Sequence, residues 1–437
     1  MYTRNDRVYV KGAVKITGNS TTDGKANNVC LGSVSGYPSD HFVLDGALKE
    51  GSKLGVTLGS GHDGLITEGW KTKMPDVTAD QLTDHFISDA SGMKFDLNSA
   101  GEVTLTAIPH KHLLCGTACS HGGEQHTKIL TWTAVSSLSE ITRAGYYYLT
   151  QDIETTDIWV PANGVVLCLN GHSIIHTNHG YTIMVRRDYT FTLCDCKGGS
   201  AEYGRITHAE QADGPKYSGQ GGYAIGTFNM YGGSISGNVS QHSSGVLLDN
   251  GANSGGKGTA FNMYGGEITG NTATNGAGGG VYVFANSPFR MYGGSISGNT
   301  AKYGGGGVYV GSESVFTVSG SVTITGNTGN DSSACNVQLA KSNTAGMTFA
   351  IGEGGLAESA RIGVTADAAP AIGEHIAVAT GADNGYYEGS ITSDAGGQYG
   401  ILREGDEINL YNGLPHKHLL CGTACSHGGE THTDVLT

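Results

Sequence analysis

Histidine and cysteine side chains are concentrated in one short string that occurs twice. HKHLLCGTACSHGGE runs from residue 110 to 124 and again, unchanged, from 416 to 430. Thiolate and imidazole are the ligand types that Zn²⁺ prefers in proteins. The sequence therefore predicts a structural zinc site in each copy, drawn from His110, His112, Cys115, Cys119, His121 and His126 in the first and from His416, His418, Cys421, Cys425, His427 and His432 in the second.

Six candidate ligands per copy exceed the four that a closed tetrahedral site needs. A knuckle-like spacing, H-x2-C-x3-C-x6-H, is formed by His112, Cys115, Cys119 and His126. His110 and His121 are able to replace either imidazole or to act as outer-shell partners. Three alternatives stay open: a local disulfide between Cys115 and Cys119, a solvated His-rich linker, and a catalytic zinc that keeps a water ligand.

Three further cysteines lie on predicted strands outside the repeated string. Cys194 and Cys196 in LCDCKGG alternate with Asp195, so both thiols face one side of the strand. Cys168 in VVLCLNGH lies on a similar strand. Free cysteine commonly behaves as a small buried hydrophobe. We therefore interpret all three as packing residues.

Charged side chains offer few candidates for catalysis. Glycoside hydrolysis and Ca²⁺ binding both need clustered carboxylates. The candidates are Arg186, Arg187, Asp188, Asp195 and Asp249, and none recurs at a repeat spacing. We predict that they belong to solvated turns. We likewise predict a surface location for His172, His176 and His179.

The elements that must position these residues come from shorter repeats. Segments such as FNMYGGSISGN and FRMYGGSISGN end at residues 238, 271, 299 and 327. Spacings of about 28 to 33 residues are typical of stacked repeat architectures, and the 72 glycines with frequent Val, Ile, Thr and Tyr favour an all-β class. Stacking in register predicts a parallel β-helix, a solenoid, with columns of Ile235, Ile268, Ile296 and Ile324, of Tyr231, Tyr264 and Tyr292, and of Asn238, Asn271, Asn299 and Asn327.

These GG-x-I-x-GN rungs resemble the pectin-lyase-like right-handed β-helix superfamily, and in particular the glycine-rich adhesin-type repeats of bacterial surface proteins. The segments TWTAVSSLSEITRAGYYYLTQDI, VVLCLNGHSI and FTLCDCKGG resemble the opening coils of such helices in Gram-positive surface proteins. The resemblance covers about residues 131 to 330. It implies a right-handed parallel β-helix and says almost nothing about activity.

A longer repeat divides the chain. VKGAVKITGN at 10–19 matches VSGSVTITGN at 318–327, and both stretches lead into a copy of the His/Cys string. We predict a remnant last coil of a preceding β-helix at 1–20, a small β domain at 21–108, a His/Cys module at 109–127, the β-helix at 128–335, a second small β domain at 336–414 and a second module at 415–437.

Composition limits the partners and the compartment. The net charge of −14 without a basic stripe argues against nucleic acid, and no stretch has the roughly 18 apolar residues of a membrane span. An odd number of dispersed cysteines is no disulfide framework, so reduced or metal-bound thiols are expected. We expect signal and anchor segments to lie outside this fragment of an extracellular or cell-surface bacterial protein.

The expected role is structural or adhesive: a tandem-repeat stalk whose β-helix units are joined by zinc-stabilised modules. Its expected partners are glycans or proteins of a host or of other cells. No constellation of catalytic residues is evident, so a polysaccharide lyase or glycosidase on the same scaffold is kept as the alternative. A fibre that self-associates end to end is the third reading.

Overall fold

The computed structural model describes residues 2–3, 7–22, 24–32, 40–59, 64–90, 93–108, 110–114, 119–121, 124–197, 203–212, 214–250, 258–284, 286–340, 348–366, 370–412, 418–419, 425–427, 430–432 and 435–436. The chain divides into two compact units, Met1–Pro109 and His110–Thr437. Within the described ranges, none of the helices has the length and apolar character needed to cross a membrane.

The first unit consists of short strands with three single-turn helices. The strands are Tyr2–Thr3, Val8–Gly12, Lys15–Ile16, Val29–Leu31, Phe42–Leu48, Lys53–Leu58, Thr67–Glu68, Phe86–Ser88, Met93–Leu97 and Val103–Ala107. The α-helical turns are Trp70–Lys73 and Leu82–His85, with a 3-10 turn at Ala79–Gln81.

Most strands of the first unit pair in parallel. The strands pair in parallel except for one hairpin, Met93–Leu97 with Val103–Ala107. Its core contains the fully buried rings of Phe42, Trp70 and Phe86. The Phe86 ring centroid lies 5.4 Å from that of Trp70 and 6.5 Å from that of Phe42. This unit therefore has a hydrophobic core of its own.

The regular secondary structure of the second unit consists almost entirely of β-strands. Its strands are His110–His112, Cys119–His121, Glu124–His126, Leu130–Val135, Gly145–Leu149, Ile153–Thr155, Val165–Cys168, Ile174–His176, Ile183–Val185, Thr190–Cys194, Arg205–His208, Gly222–Ala224, Thr227–Met230, Ser234–Ser236, Val239–Ser240, Val246–Asp249, Ala260–Met263, Glu267–Thr269, Thr272–Ala273, Val281–Phe284, Pro288–Ser297, Thr300–Ala301, Val308–Val310, Val315–Thr325, Thr328–Gly329, Val337–Leu339, Phe349–Leu356, Arg361–Thr365, His375–Thr380, Ile391–Ser393, Tyr399–Glu404, Glu407–Asn412, His418–Leu419, Cys425–His427, Glu430–His432 and Val435–Leu436. Its 3-10 turns are Leu138–Glu140, Ala382–Asn384 and Gly396–Gln398.

A sheet of 26 strands, most of them paired in parallel, organises the second unit. Strands one repeat apart pair in register, so that Ile235 opposes Ile268, Ile268 opposes Ile296, and Ile296 opposes Ile324. All four side chains are fully buried. The predicted isoleucine column is confirmed, and the all-β, mostly parallel architecture is consistent with a β-helix.

Phenylalanine forms a second internal column. Register pairing aligns Phe191, Phe228, Phe261, Phe289 and Phe316, and the stack continues at Phe349. Consecutive ring centroids lie 4.9 to 5.8 Å apart. Each ring packs on the next, so the apolar core is continuous across the repeats.

The predicted tyrosine column is also confirmed. Tyr231, Tyr264 and Tyr292 stack face to face with centroids 4.4 and 4.9 Å apart and ring planes within 10° of parallel. The three side chains are half-buried. The inner ring, Tyr264, therefore has both of its faces covered by its neighbours.

The asparagines that end the rungs form a buried column of hydrogen bonds. The backbone N–H and the side-chain amide of each donate to Oδ1 of the next at 2.9 to 3.0 Å, through Asn238, Asn271, Asn299, Asn327 and Asn336. A glycine with φ of 64° to 68° precedes each of the first four, a conformation that glycine adopts without strain. The predicted ladder is confirmed and continues to one further asparagine, Asn336, nine residues after Asn327.

Both ends of this asparagine column are terminated by other side chains. At one end, Nδ1 of His208 lies 2.8 Å from Oδ1 of Asn238. At the other end, the backbone N–H and side-chain amide of Asn336 donate to the carboxylate of Asp394, which also accepts from the Thr365 hydroxyl. The hydrogen bonds from one asparagine to the next thus all run toward Asp394, and the side-chain amide of each of the first four also donates back to an isoleucine carbonyl of the preceding rung.

The first unit contains a similar end of an asparagine column, with an aspartate as the last acceptor. Asn19 donates to Asn28 at 2.9 Å, Asn28 donates to Asp89 at 2.8 Å, and the Thr57 hydroxyl donates to Asp89 at 2.6 Å. The strands Phe349–Leu356 and Arg361–Thr365, which follow the last Gly-Asn rung, pair in parallel with Val315–Thr325. In the second unit this ending therefore belongs to the same sheet as the rungs.

Candidate metal centre

Two cysteines of neighbouring strands lie on the outer side of the sheet. Leu167 and Leu193 point into the main core, whereas the residues after them, Cys168 and Cys194, belong to a separate buried cluster with Trp132. Cys168 and Cys194 oppose each other in register. The interpretation of both as buried residues is confirmed, but they pack outside the column of isoleucines.

A short strand of the repeated string supplies two imidazoles to this patch. His110–His112 pairs antiparallel with Leu130–Val135. The ring of His110 stacks on Tyr148 with centroids 4.0 Å apart, and the ring of His112 stacks on Trp132 at 4.2 Å. Alternation along the strand places both imidazoles on one side of it.

Four side chains converge where this strand meets the cysteines. One ligand atom from each of His110, His112, Cys168 and Cys196 lies within 4.8 Å of the other three. Nε2 of His110 is 3.5 Å from Sγ of Cys196. Zinc bonds of about 2.0 to 2.3 Å give tetrahedral edges of roughly 3.3 to 3.8 Å. The cluster can hold a metal ion, and it is the one such group of three or more within the described residues.

His112 provides the clearest evidence that the group fits a metal. Its Nδ1 lies 2.6 Å from the carbonyl oxygen of Leu113, which only accepts, so Nδ1 carries the proton. Nε2 is then left with its lone pair, and it is buried without a hydrogen-bond partner. A metal ligand with its other ring nitrogen bound to a carbonyl has this arrangement. Burial also lowers the pKa of His112, which keeps the imidazole neutral.

The thiols of Cys168 and Cys196 complete a set of four ligands with the two imidazoles, and a bound cation would stabilise the thiolate forms. Burial raises the pKa of Cys168, and a hydrogen bond from Cys168 together with burial raises that of Cys196. Cys196 also contacts Oδ1 of Asn170 at 3.3 Å. Both thiols are protonated in the protein alone, and a bound divalent cation would displace those protons.

The other predicted ligands fall into two groups. Outside the described residues lie Cys115, His416 and Cys421. The backbone, but not the side chain, is described for Cys119, His121, His126, His418, Cys425, His427 and His432. In the first copy Cys119 opposes His126 in a hairpin, and in the second copy Cys425 opposes His432 in the same way. Of the twelve predicted ligands, the cluster includes His110 and His112.

Sequence reasoning missed Cys168 and Cys196 as candidate ligands. Their burial was expected, but burial is shared by structural thiols and by ligands of closed sites. A usable signal was the side of the strand. Leu167 and Leu193 point into the core, so Cys168 and Cys194 must face outward, and Cys196, two residues after Cys194, shares that side. Outward cysteines on two adjacent strands need a covering segment.

Two of the candidate charged residues, Asp195 and Asp249, have structural partners, and the predicted solvated location is wrong for Asp195. Asp195 is buried, and its carboxylate accepts from the backbone N–H groups of Gly171, Lys197 and Gly204. Asp249 accepts from the hydroxyl of Tyr223, and burial with this negative neighbour raises the pKa of Tyr223 to about 12. These carboxylates serve the local structure.

The three histidines of GHSIIHTNHG have different environments. His179 is exposed and His172 is half-buried, beside Asp152 at 3.5 Å. His176 is fully buried, and its ring stacks on His208 with centroids 5.1 Å apart. The surface prediction is wrong for His176, because its strand alternation continues the inward positions of Ile174.

Comparisons of this chain with models of protein families, with curated proteins and with solved structures found no match.

Proposed function

We propose that this chain is a structural and adhesive segment of a secreted or cell-surface bacterial protein, built on a right-handed parallel β-helix. The observation that carries the proposal is the continuity of the isoleucine, phenylalanine and asparagine columns through the second unit. Identical residues stacked in register allow one structural repeat to be added to the next, which suits an elongated structural protein. Small flanking β domains and His/Cys modules join successive units of the stalk.

Two observations favour this role over a polysaccharide lyase or glycosidase. Asp195, the best-placed carboxylate, is already occupied by three backbone N–H groups. Within the tyrosine column, Tyr264 can present only its ring edge and hydroxyl to a sugar, because Tyr231 and Tyr292 cover its two faces. A sugar ring stacks on an open aromatic face, so adhesion would use other surfaces than this column.

The ion we propose for the cluster is Zn²⁺ in a structural role. Two thiolates and two imidazoles match its preferred tetrahedral set, and four protein ligands leave no position for a catalytic water. The ion would fasten the His110–His112 strand to the strand ends that carry Cys168 and Cys196. We call this arrangement the zinc clasp.

Elemental analysis and activity assays on the full chain test the proposal. We expect bound zinc, a loss of thermal stability on chelation, and no new reducing or unsaturated ends when the protein is incubated with acidic polysaccharides. Depolymerisation that survives purification would support the enzyme. Sedimentation that depends on protein concentration would instead favour the self-associating fibre, and binding to a glycan array without cleavage would support adhesion.

A further inference from the structure

Three thiols form a continuous patch at the zinc clasp. Cys168 and Cys194 belong to one buried cluster, and Cys196 packs against it. Cys168 and Cys194 have no exposed surface, whereas Cys196 is only half-buried. The thiol through which a solvent-borne oxidant meets the patch is therefore that of Cys196.

We propose that Cys168 and Cys196 are a redox modification site: peroxide converts them to a reversible disulfide, which ejects the metal and releases the His110–His112 strand. This inference rests on the zinc clasp of the proposed function. Both sulfur ligands of the ion are consumed in one bond, so the metal keeps only two imidazoles. Two imidazoles alone are half of the donor set that a closed zinc site requires.

The chemistry balances with hydrogen peroxide as the oxidant. The Cys196 thiolate attacks one peroxide oxygen, the O–O bond breaks, and the hydroxide that leaves takes a proton from solvent to become water. The Cys168 thiolate then attacks the resulting sulfenic sulfur, the S–S bond forms, and the sulfenic oxygen leaves as hydroxide, which takes a second solvent proton to become water. Each sulfur loses one electron, and peroxide is reduced by two.

Geometry selects Cys168 as the resolving thiol. Its Sγ lies within 4.8 Å of Sγ of Cys196 as a member of the same four-atom cluster. Cys194 is not part of that cluster. Its replacement therefore leaves both the donor set and the reacting pair in place, which makes Cys194→Ser a matched control.

The experiment uses the full, zinc-loaded chain treated with hydrogen peroxide. Zinc release is followed with a chromogenic chelator, and disulfides are located by peptide mapping. We expect loss of the clasp zinc, a Cys168–Cys196 cross-link, and recovery of zinc binding after reduction. Cys194→Ser should behave as the wild type, and so should the double variant Cys115→Ser/Cys119→Ser at this site.

Two results would overturn the switch: zinc that stays bound while Cys168 and Cys196 remain reduced, or release that coincides only with a Cys115–Cys119 disulfide. Zinc that stays bound leaves the zinc clasp itself standing, whereas release with a Cys115–Cys119 disulfide alone would assign the ion to those two cysteines. A chain that contains no zinc before peroxide is added contradicts the clasp and the switch together. The two failures are therefore distinguishable in one series of samples.

Discussion

The ring of His112 is fixed before any ion arrives. Its stack on Trp132 sets the plane of the imidazole, and its bond to the Leu113 carbonyl sets the tautomer. A ligand held in this way loses little conformational freedom on binding. The same contacts leave Nε2 buried and unpartnered in the protein alone, so an ion at this point removes an unfavourable feature of the site.

Replacement of His112 by alanine should weaken zinc binding more than about 100-fold, because loss of an outer-shell partner alone costs 10- to 100-fold. Competition with a chelator of known affinity measures the change. His172→Ala is the control, since His172 belongs to the same unit but pairs with Asp152 outside the cluster. Equal affinity in both variants would show that the ion binds elsewhere.

His176 makes stability depend on pH. Burial, with the neighbouring His208, lowers its pKa below that of the unfolded chain, which is about 6.5. Below pH 6.5 the unfolded state therefore binds a proton that the folded state does not, and stability falls as the pH drops from there toward the folded-state pKa. Above pH 6.5, His176 does not make the free energy of unfolding depend on pH.

Urea denaturation at pH 7.5 and pH 5.5 checks this expectation. The wild type should lose stability at the lower pH, and His176→Leu should lose less, because an apolar side chain in the same buried position does not titrate. A variant with the same pH dependence as the wild type would assign the effect to other groups.

At the scale of elements, the asparagine column joins rungs that contribute only short strands. Each member accepts two hydrogen bonds from one neighbour and donates two to the other. A buried polar group that loses its partner costs about 1 to 3 kcal/mol. The column is stable because every internal member is satisfied on both sides.

Asn299→Ala should lower the free energy of unfolding by about 3 to 5 kcal/mol, because the buried donors of Asn271 and the carbonyl oxygen of Ile268 lose their hydrogen-bond partner. Chemical denaturation of the second unit measures the loss. Asn262→Ala is the matched control, because Asn262 occupies an outward, half-buried position where its side chain donates to Asn229 and accepts from Arg290. Similar losses would contradict a special role for the column.

Close stacking of the rungs also restricts glycine positions. A Cβ on Gly280 would lie 2.6 Å from the carbonyl oxygen of Gly307 and 2.8 Å from a methyl group of Ile296. Gly280→Ala should therefore cost about 1 to 3 kcal/mol through overpacking, measured by thermal denaturation. Gly397→Ala, where a Cβ meets nothing within 4 Å, should have almost no effect, and a neutral Gly280→Ala would mean that the rungs can separate.

The columns could be predicted because the repeat itself reports them. Residues such as Ile268 and Asn271 recur at a fixed spacing, and in-register pairing follows from the periodicity. The metal ligands could not be predicted in this way. Cys196 is 86 residues from His110, and their contact depends on how one short strand folds back over the sheet, which no local pattern encodes.

At the scale of the whole molecule, the two units differ in the extent of their cores. The second unit contains the long columns described above, whereas the first has a smaller cluster around Phe42, Trp70 and Phe86. The cluster that can hold a metal ion lies within the second unit. Stabilisation by a bound ion applies to the unit whose native state binds it.

We expect two thermal transitions, of which chelation lowers only the one that belongs to the second unit. Tryptophan fluorescence assigns them, because Trp70 reports on the first unit and Trp132 with Trp159 on the second. Trp70→Phe should remove the optical signal of the first transition. One transition that moves as a whole on chelation would show that the units unfold together.

Every asparagine inside the column presents donors on one side and an acceptor on the other. A duplicated rung inserted anywhere among them finds the partners it needs both above and below. His208 and Asp394, which close the row, would need no change. A gene for this chain can therefore gain or lose whole repeats while His208 and Asp394 still end the asparagine column. An insertion of any other size would interrupt the column.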